Sequence, residues 1–191
     1  MKKYFAKIFV FFVVSLSFSP CFAQSLKDQR NDAFFTRAGD VLQIALPLSA
    51  AGYSLVIHDK EGLRSWFYSV ASTAILSYSL KYAVGRPRPF QDQTGGGRGD
   101  SFPSAHTAAA FSGAAYWQAR YGWRAGIPAY ALASAVGVSR VWSGWHWWTD
   151  VAAGAVIGIT FSQLFTTPYE KLQVSAGINP SGGHIAISGQ F

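Results

Sequence analysis

Cysteine and charged residues are both scarce in this sequence. Among 191 residues there is one cysteine, and only 13% of residues are charged, about half of the usual share of about 25%. The low charge excludes a disordered chain and a charged coiled coil, because both need many charged side chains. A single thiol excludes an internal disulfide and a thiolate metal centre. The four histidines are dispersed without ligand-type spacing, so the sequence predicts no metal site.

Basic residues exceed acidic ones, but they form no run. There are 16 lysines and arginines against 9 aspartates and glutamates, which gives a formal charge of +7. Three of the lysines lie within residues 1–23, and removal of that segment leaves +4. Scattered positive charge of this size does not indicate a nucleic-acid partner. The sequence does not indicate an oligomeric state.

Residues 1–23 have the pattern of a secretory signal peptide. Lysines precede an apolar run at residues 8–18, and small side chains precede a cleavage point after Ala23. This pattern predicts export into the bacterial cell envelope. Acylation of Cys21, as in a lipoprotein, is an alternative that Pro20 fits poorly.

Five apolar segments follow, rich in Ala, Gly, Ser and Val and without the alternation typical of strands. They predict an all-α fold, a bundle of five to six helices packed closely through small residues. The runs are at or below the roughly 20 residues that cross a bilayer, so a membrane-embedded bundle, which we favour, and a soluble one both stay open. The segments are Val41–Ile57, Ser65–Val84, Ser104–Ala119, Ala125–Val138 and Val151–Phe165.

The chain divides into a helical domain at residues 24–166 and a C-terminal tail at residues 167–191. In the tail, apolar and polar residues alternate on both sides of a Pro-Ser-Gly-Gly turn, which predicts a short β-hairpin. We expect this tail to take no part in chemistry.

The first of three polar clusters ends the second segment. Three cations, Lys81, Arg86 and Arg88, are followed or interrupted by prolines that stop the helix. On its own the cluster is also typical of a topology signal or of a solvated helix end.

The second cluster, Ser101-Phe-Pro-Ser-Ala-His106, opens the third segment. Pro103 near the first turn and Ser104 as the N-cap leave backbone N–H groups pointing outward, an arrangement that binds anions. The alternative is a well-capped helix with His106 on its surface.

The third cluster runs from Ser139 to Asp150. If the fifth helix begins near His146, the i, i+4 spacing places Asp150 on the same face. The carboxylate then holds one imidazole nitrogen and leaves the other as a nucleophile. The alternative is an interfacial belt of four tryptophans with an incidental histidine.

The order of the helices brings the three clusters together. In an up-and-down bundle, the end of helix two, the start of helix three and the link between helices four and five lie at one end. Three cations, a helix N-terminus and two histidines are typical of a phosphate pocket. The predicted members are Lys81, Arg88, Ser104, His106, Arg140, His146 and Asp150.

Together these residues resemble the three-part signature of the type 2 phosphatidic acid phosphatase family, which shares its fold with vanadium haloperoxidases and bacterial class A acid phosphatases. The matching motifs are Lys81-x6-Arg88-Pro89, Pro103-Ser104-Ala105-His106 and Ser139-Arg140-x5-His146-x3-Asp150. The family usually has glycine where Ala105 stands. Alanine keeps the backbone N–H and adds one methyl, so we expect phosphate binding in a slightly tighter pocket.

The resemblance implies a metal-independent phosphatase with no cofactor. His146 would attack phosphorus to form a phosphohistidine that Asp150 orients, and His106 would act first as general acid and then as general base. Phosphate oxygens would be held by Lys81, Arg88, Ser104, Ala105 and Arg140.

The outward-facing site predicted by the signal favours lipid phosphates as substrates, on the periplasmic side of the inner membrane. Candidates are phosphatidic acid, phosphatidylglycerol phosphate, undecaprenyl diphosphate and lipid A. The alternatives are a lipid phosphotransferase using the same phosphohistidine, a soluble periplasmic acid phosphatase acting on small phosphoesters, and a membrane protein that binds phosphate without turnover.

Overall fold

The computed structural model describes residues 33–89, 99–169, 173–179 and 182–188. The predicted signal peptide lies outside the described residues. Within them the chain folds into five helices followed by two strands. The elements in chain order are α1 (Ala33–Val56), α2 (Lys60–Val84), α3 (Ala105–Tyr121), α4 (Trp123–Trp142), α5 (Trp148–Phe165), β1 (Gln173–Asn179) and β2 (Gly182–Ser188).

Side-chain caps set the starts of two helices. Asp59 precedes α2 and accepts a hydrogen bond of 2.8 Å from the backbone N–H of Gly62. Ser104 precedes α3 and accepts from the N–H of Thr107. Each cap satisfies one of the N–H groups that a helix start leaves without a partner in the helix.

Helix α3 is central and packs against each of the other four helices. The buried core consists mainly of alanines from α3 and α4 with three larger side chains, Leu46, Phe111 and Val136. Close packing through small residues is what the composition predicted, and the all-α prediction is confirmed for the bundle. Antiparallel succession of the helices places the start of α1, the end of α2, the start of α3, the end of α4 and the start of α5 at one end.

The predicted helix boundaries were wrong by three residues or more at four places. Helix α2 begins at Lys60, five residues before the predicted start at Ser65. Helix α1 begins at Ala33, eight residues before the predicted start, and includes Asp40. The polar residues there are helical because they dock on the end of α4, where Arg140 donates to the Thr36 carbonyl at 2.6 Å. Helix α4 continues through Trp142, and α5 begins at Trp148, so both extend beyond their apolar runs.

The sequence favoured a membrane-embedded bundle. Among the helices of the described residues, none is both long enough and apolar enough to be a candidate membrane span.

The two strands of the tail pair in antiparallel register. Gln173 lies opposite Ser188, and Asn179 lies opposite Gly182 at the turn. No other strand is found in the described part of the chain.

Candidate active site

The imidazole of His146 lies at the end of the bundle where five helix termini meet, and its side chain is only 3% exposed. Its Nδ1 is 2.7 Å from the backbone carbonyl oxygen of Ser101. A carbonyl can only accept, so Nδ1 carries the hydrogen and Nε2 of the neutral ring keeps a lone pair. Burial, together with the nearby cations, lowers the pKa of His146, which favours this neutral form.

The predicted contact between His146 and Asp150 differs from the one in the structure. Helix α5 begins at Trp148, so the histidine precedes the helix, and Asp150 Oδ2 is 3.8 Å from Nδ1. At that distance the carboxylate acts by its charge and not as a hydrogen-bond acceptor. The carbonyl of Ser101 takes the place that the i, i+4 spacing predicted for Asp150.

Asp150 is fully buried and accepts hydrogen bonds from three sides. Ser101 Oγ donates to Oδ2 at 2.5 Å, the backbone N–H of Trp147 donates to Oδ2 at 2.9 Å, and Arg86 donates to Oδ1 at 2.8 Å. Burial alone would raise the pKa of Asp150, but His146 nearby and these donors outweigh it and hold the pKa below its usual range. The carboxylate is therefore ionised beside the histidine.

Lys81 and Arg88 lie together on the α2 side of the site, joined by Asp100. Arg88 donates two hydrogen bonds to the carboxylate of Asp100, at 2.6 and 2.7 Å, and Lys81 donates to the backbone carbonyl of the same residue at 2.5 Å. The hydrogen bond from Arg88 lowers the pKa of Asp100. Burial lowers the pKa of Lys81, against the raising effect of Asp100.

The N-terminus of α3 faces the same end. The hydroxyl oxygen of Ser104 is buried and accepts from Thr107 Oγ1 at 2.9 Å, while the backbone N–H of Ser104 donates to the Asp150 carbonyl at 3.0 Å. Ala105 is the first residue of α3. Its N–H group belongs to the first turn, whose donors have no acceptor within the helix and are suited to an anion.

Arg140 and His106 form the opposite wall with Asp40. The guanidinium of Arg140 is only 4% exposed and donates to Asp40 Oδ1 at 2.7 Å. The same carboxylate oxygen is 3.3 Å from His106 Nε2. Burial and the charge of Arg140 lower the pKa of His106 to about 4, although Asp40 opposes this.

The eight residues predicted for the site thus lie at one end of the bundle, and the structure adds four that sequence reasoning left without a role. Arg86 and Ser101 both bind Asp150, and they stand within or beside the motifs. Asp100, next to the second motif, could have been found by its position. Nothing in the local sequence marks Asp40, because its partners are about 65 and 100 residues further along the chain.

Within the described ranges, no group of three or more His, Cys, Asp or Glu side chains is arranged to hold a metal ion.

Comparison with known proteins identifies the family. Residues 62–173, more than half of the chain, match the PAP2 superfamily. The chain belongs to this superfamily. The match begins in α2 and ends at the first residue of β1, so it contains all three motifs.

Two curated relatives of this PAP2 chain are bacterial lipid A phosphatases. The lipid A 4'-phosphatase of Helicobacter pylori is 33% identical over 138 residues, which cover 69% of this chain and 69% of that protein. The lipid A 1-phosphatase of Porphyromonas gingivalis is 32% identical over 142 residues, covering 69% of this chain but only 31% of that longer protein.

The fold of this PAP2 chain is also found in a solved structure. The crystal structure of Aquifex aeolicus LpxE aligns with a TM-score of 0.59 at 22% identity, covering 82% of this chain and 92% of that one. At this identity the likeness establishes the helical fold alone.

Proposed function

We propose that the chain hydrolyses phosphate esters or diphosphates of lipids through a phosphohistidine on His146. Its membership of the PAP2 superfamily and its lipid phosphatase relatives make it a lipid phosphatase of the PAP2 type. The observation that carries the mechanism is the Nδ1 contact of His146. With Nδ1 bonded to the Ser101 carbonyl, Nε2 is the nitrogen with a lone pair for phosphorus.

In the first step, Nε2 of His146 attacks phosphorus and the bond from phosphorus to the ester oxygen breaks. The departing oxygen takes a proton from the imidazolium of His106, so a neutral alcohol leaves. The phosphorylated ring of His146 is positively charged. The ionised Asp150 at 3.8 Å stabilises that charge in a site from which water is largely excluded.

In the second step, His106, now neutral, accepts a proton from a water molecule as that water attacks phosphorus. The bond from phosphorus to Nε2 breaks, inorganic phosphate forms, and His146 returns to its neutral state. The leaving oxygen needs a proton in the first step and the attacking water loses one in the second, so a single residue can serve as acid and then as base.

Cations and helix N–H groups hold the phosphoryl oxygens. Lys81 and Arg88 lie on the α2 side and Arg140 on the α4 side of the pocket, while Ser104 and Ala105 stand at the α3 N-terminus. Fixed donors on both sides stabilise the charge that moves between oxygens during transfer. These groups supply positive charge to the phosphoryl oxygens, so we expect turnover without an added metal.

Exposed apolar side chains support a lipid substrate. Large hydrophobic residues on several helices are more than half exposed, for example Phe34, Ile75, Ile127 and Leu164. Contact with lipid would remove this apolar surface from water, which is energetically favourable. We therefore propose that the protein works at a membrane, with its site on the periplasmic side.

We also propose how the chain is organised. A signal peptide at residues 1–23 would direct export, residues 24–166 would form the phosphatase domain, and residues 167–191 would be a tail outside the chemistry. Lipid A, phosphatidic acid, phosphatidylglycerol phosphate and undecaprenyl diphosphate are the substrates to compare.

The test is phosphate release by the purified protein in EDTA from lipid A, phosphatidic acid, undecaprenyl diphosphate and p-nitrophenyl phosphate. We expect release from at least one lipid, and complete loss in His146→Gln. His58→Asn is the matched control, since His58 is exposed in the turn between α1 and α2 and asparagine tolerates its positive φ of 59°. This variant should keep full activity.

A rapid acid-free quench should also trap phosphate on the wild-type protein and none on His146→Gln. Turnover that survives in His146→Gln would refute the phosphohistidine. Activity that EDTA abolishes would refute metal independence. Phosphate transfer to an added alcohol in preference to water would replace hydrolysis by phosphotransfer.

A further inference from the structure

The carboxylate of Asp40 lies between two residues of the proposed mechanism. Its Oδ1 accepts from Arg140 Nη1 at 2.7 Å and is 3.3 Å from His106 Nε2. Asp40 belongs to α1, which precedes the PAP2 match at residues 62–173 and contains none of the three motifs. None of the site residues predicted from the sequence belongs to α1.

The backbone that carries Asp40 is fixed against α4. A Cβ on Gly39 would come within 2.2 Å of Ser139 Oγ and 2.6 Å of Arg140 Nη2, so only glycine allows this approach. One turn before Gly39 in α1, the carbonyl of Thr36 accepts from Arg140 Nη2 and the hydroxyl of Thr36 lies 2.6 Å from Ser143 Oγ. Asp40 is therefore a fixed partner of the site and is not a side chain on a loose helix end.

His106 needs such a partner. The charged groups that face it are Asp40 from α1, Arg140 from α4 and His146 from the segment before α5. Burial, Arg140 and His146 all disfavour a positive charge on His106, and Asp40 alone favours it. A neutral imidazole is a very weak acid, so protonation of a leaving alcohol requires the imidazolium.

We propose that Asp40 is a positioning residue that keeps the imidazolium of His106 formed and oriented for proton donation to the leaving group. Because Oδ1 faces Nε2, that ring nitrogen donates to Asp40, and Nδ1 is the nitrogen that delivers the proton to the ester oxygen. The bond from phosphorus to that oxygen breaks as the proton arrives, and His106 becomes neutral. Asp40 itself neither gains nor loses a proton. The inference rests on the proposed function of His106 and His146.

This role makes a prediction that depends on the leaving group. An alkoxide is strongly basic and needs a proton to leave, whereas p-nitrophenolate leaves without one. Asp40→Asn keeps the shape of the side chain and removes its charge. We expect kcat/KM for a short-chain phosphatidic acid to fall by about 100-fold more than kcat/KM for p-nitrophenyl phosphate, the lower end of the contribution of general acid catalysis. Any loss that comes from the weakened ion pair with Arg140 lowers both values by the same factor.

The parameter kcat/KM is chosen because it reports the steps up to release of the alcohol and excludes hydrolysis of the phosphohistidine. His106→Asn should show the same dependence on leaving group with a larger loss, and Asp40→Glu should recover part of the activity toward the alkyl ester. Asp100→Asn is the matched control. Its carboxylate contacts Arg88 and not His106, so it should change both substrates by the same factor.

Equal losses on the two substrates in Asp40→Asn would overturn the inference, because a merely structural role or a general loss of phosphate binding affects both alike. Unchanged activity on both would also overturn it. If Asp40→Asn does not fold, Asp40→Ser gives the same comparison with a second neutral side chain. The proposed function and this inference fail in different experiments. Turnover that survives in His146→Gln would refute the proposed function, whereas the Asp40 variants test the inference.

Discussion

Ser101 connects His146 and Asp150, the two members of the proposed nucleophilic pair, through different atoms. Its backbone carbonyl accepts from His146 Nδ1, and its hydroxyl donates to Asp150 Oδ2. The main chain of Ser101 therefore selects the tautomer of the histidine. Its side chain holds the carboxylate that we propose stabilises positive charge on the phosphorylated ring. A substitution can remove the second contact and leave the first.

Ser101→Ala should lower stability and activity without abolishing either. The variant loses one hydrogen bond to a buried carboxylate, a change of about 1.5–3 kcal/mol for bonds to charged groups. The pKa of Asp150 should rise, because one of the donors that lower it is gone. Urea denaturation measures the loss of stability, and kcat measured at several pH values reports the change in the pKa of Asp150. We expect the acidic limb of the kcat profile to move to higher pH.

Ser69→Ala is the comparison for loss of a buried hydroxyl elsewhere. Ser69 is fully buried and donates within α2 to the Ser65 carbonyl at 2.7 Å. Its removal should leave kcat and the pH profile unchanged. If Ser101→Ala behaves in the same way, the Asp150 contact has no part in catalysis.

At the scale of elements, the site depends on how closely α5 approaches the start of α3. A Cβ on Gly154 would lie 2.4 Å from the backbone carbonyl oxygen of Ser104 and 3.2 Å from the backbone N of Ala108. One turn earlier on α5, the carbonyl of Asp150 accepts from the Ser104 N–H. The same contact thus joins the segment that carries Asp150 to the end of α3 for which we propose phosphate binding.

Gly154→Ala should therefore reduce both stability and turnover. The added methyl meets main-chain atoms that cannot rotate away, so we expect a loss of about 1–3 kcal/mol, as for other overpacked positions. Gly52→Ala is the matched control. Gly52 also lies within a helix, a Cβ there meets nothing within 4 Å, and the change should stabilise by about 0.5–1 kcal/mol.

Thermal unfolding and kcat on a lipid phosphate distinguish the two variants. A Gly154→Ala protein as stable and as active as wild type would mean that α5 can shift without disturbing the site.

Sequence reasoning located the helices because small apolar residues recur in runs, and it predicted that the three clusters lie together because they fall at successive helix ends. It missed the start of α1, where polar residues are helical through contacts with Arg140. Those contacts span about 100 residues and leave no periodicity in the local sequence. Asp40 was missed for the same reason.

The i, i+4 spacing predicted that Asp150 holds a ring nitrogen of His146. The two residues are neighbours in the structure, but that nitrogen bonds to the carbonyl of Ser101 instead. An i, i+4 pair meets on one face only if both residues are helical. Trp147 instead caps α5, and Asp150 turns back to bind the N–H of Trp147 at 2.9 Å. A capping interaction and a helix-face interaction use the same residues, and sequence alone does not separate them.

At the scale of the whole molecule, a second polar cluster lies at the end of the helical bundle opposite the site. Arg120 and Asp59 form two hydrogen bonds at 2.6 and 2.8 Å, and both side chains are about 95% buried or more. Arg120 also donates to the carbonyls of Thr167 and Pro168, which follow α5. The arginine ties the starts of α2 and of the tail to the end of α3.

Arg120→Met should cost about 3–5 kcal/mol, because it leaves the carboxylate of Asp59 buried without its partner. The double variant Asp59→Asn with Arg120→Met should recover part of this loss, since asparagine still caps α2 and carries no charge. Urea denaturation measures the three proteins. The kcat of folded Arg120→Met should match wild type, because Arg120 lies at the end of the bundle opposite the site. A lower kcat in protein that is still fully folded would contradict this.

The ion pairs of the site also limit how it meets a substrate. Among the described residues of the site, four cationic side chains stand beside three carboxylates, so these side chains sum to a small net positive charge, which the proposed imidazolium of His106 raises by one. The residues are Lys81, Arg86, Arg88 and Arg140 with Asp40, Asp100 and Asp150. A pocket with little net charge draws distant anions weakly, and the ionic strength of the medium has little effect on their capture. In the proposed mechanism, phosphate esters are then selected at contact, by the fit of the phosphoryl oxygens to individual donors and of the leaving group to the general acid.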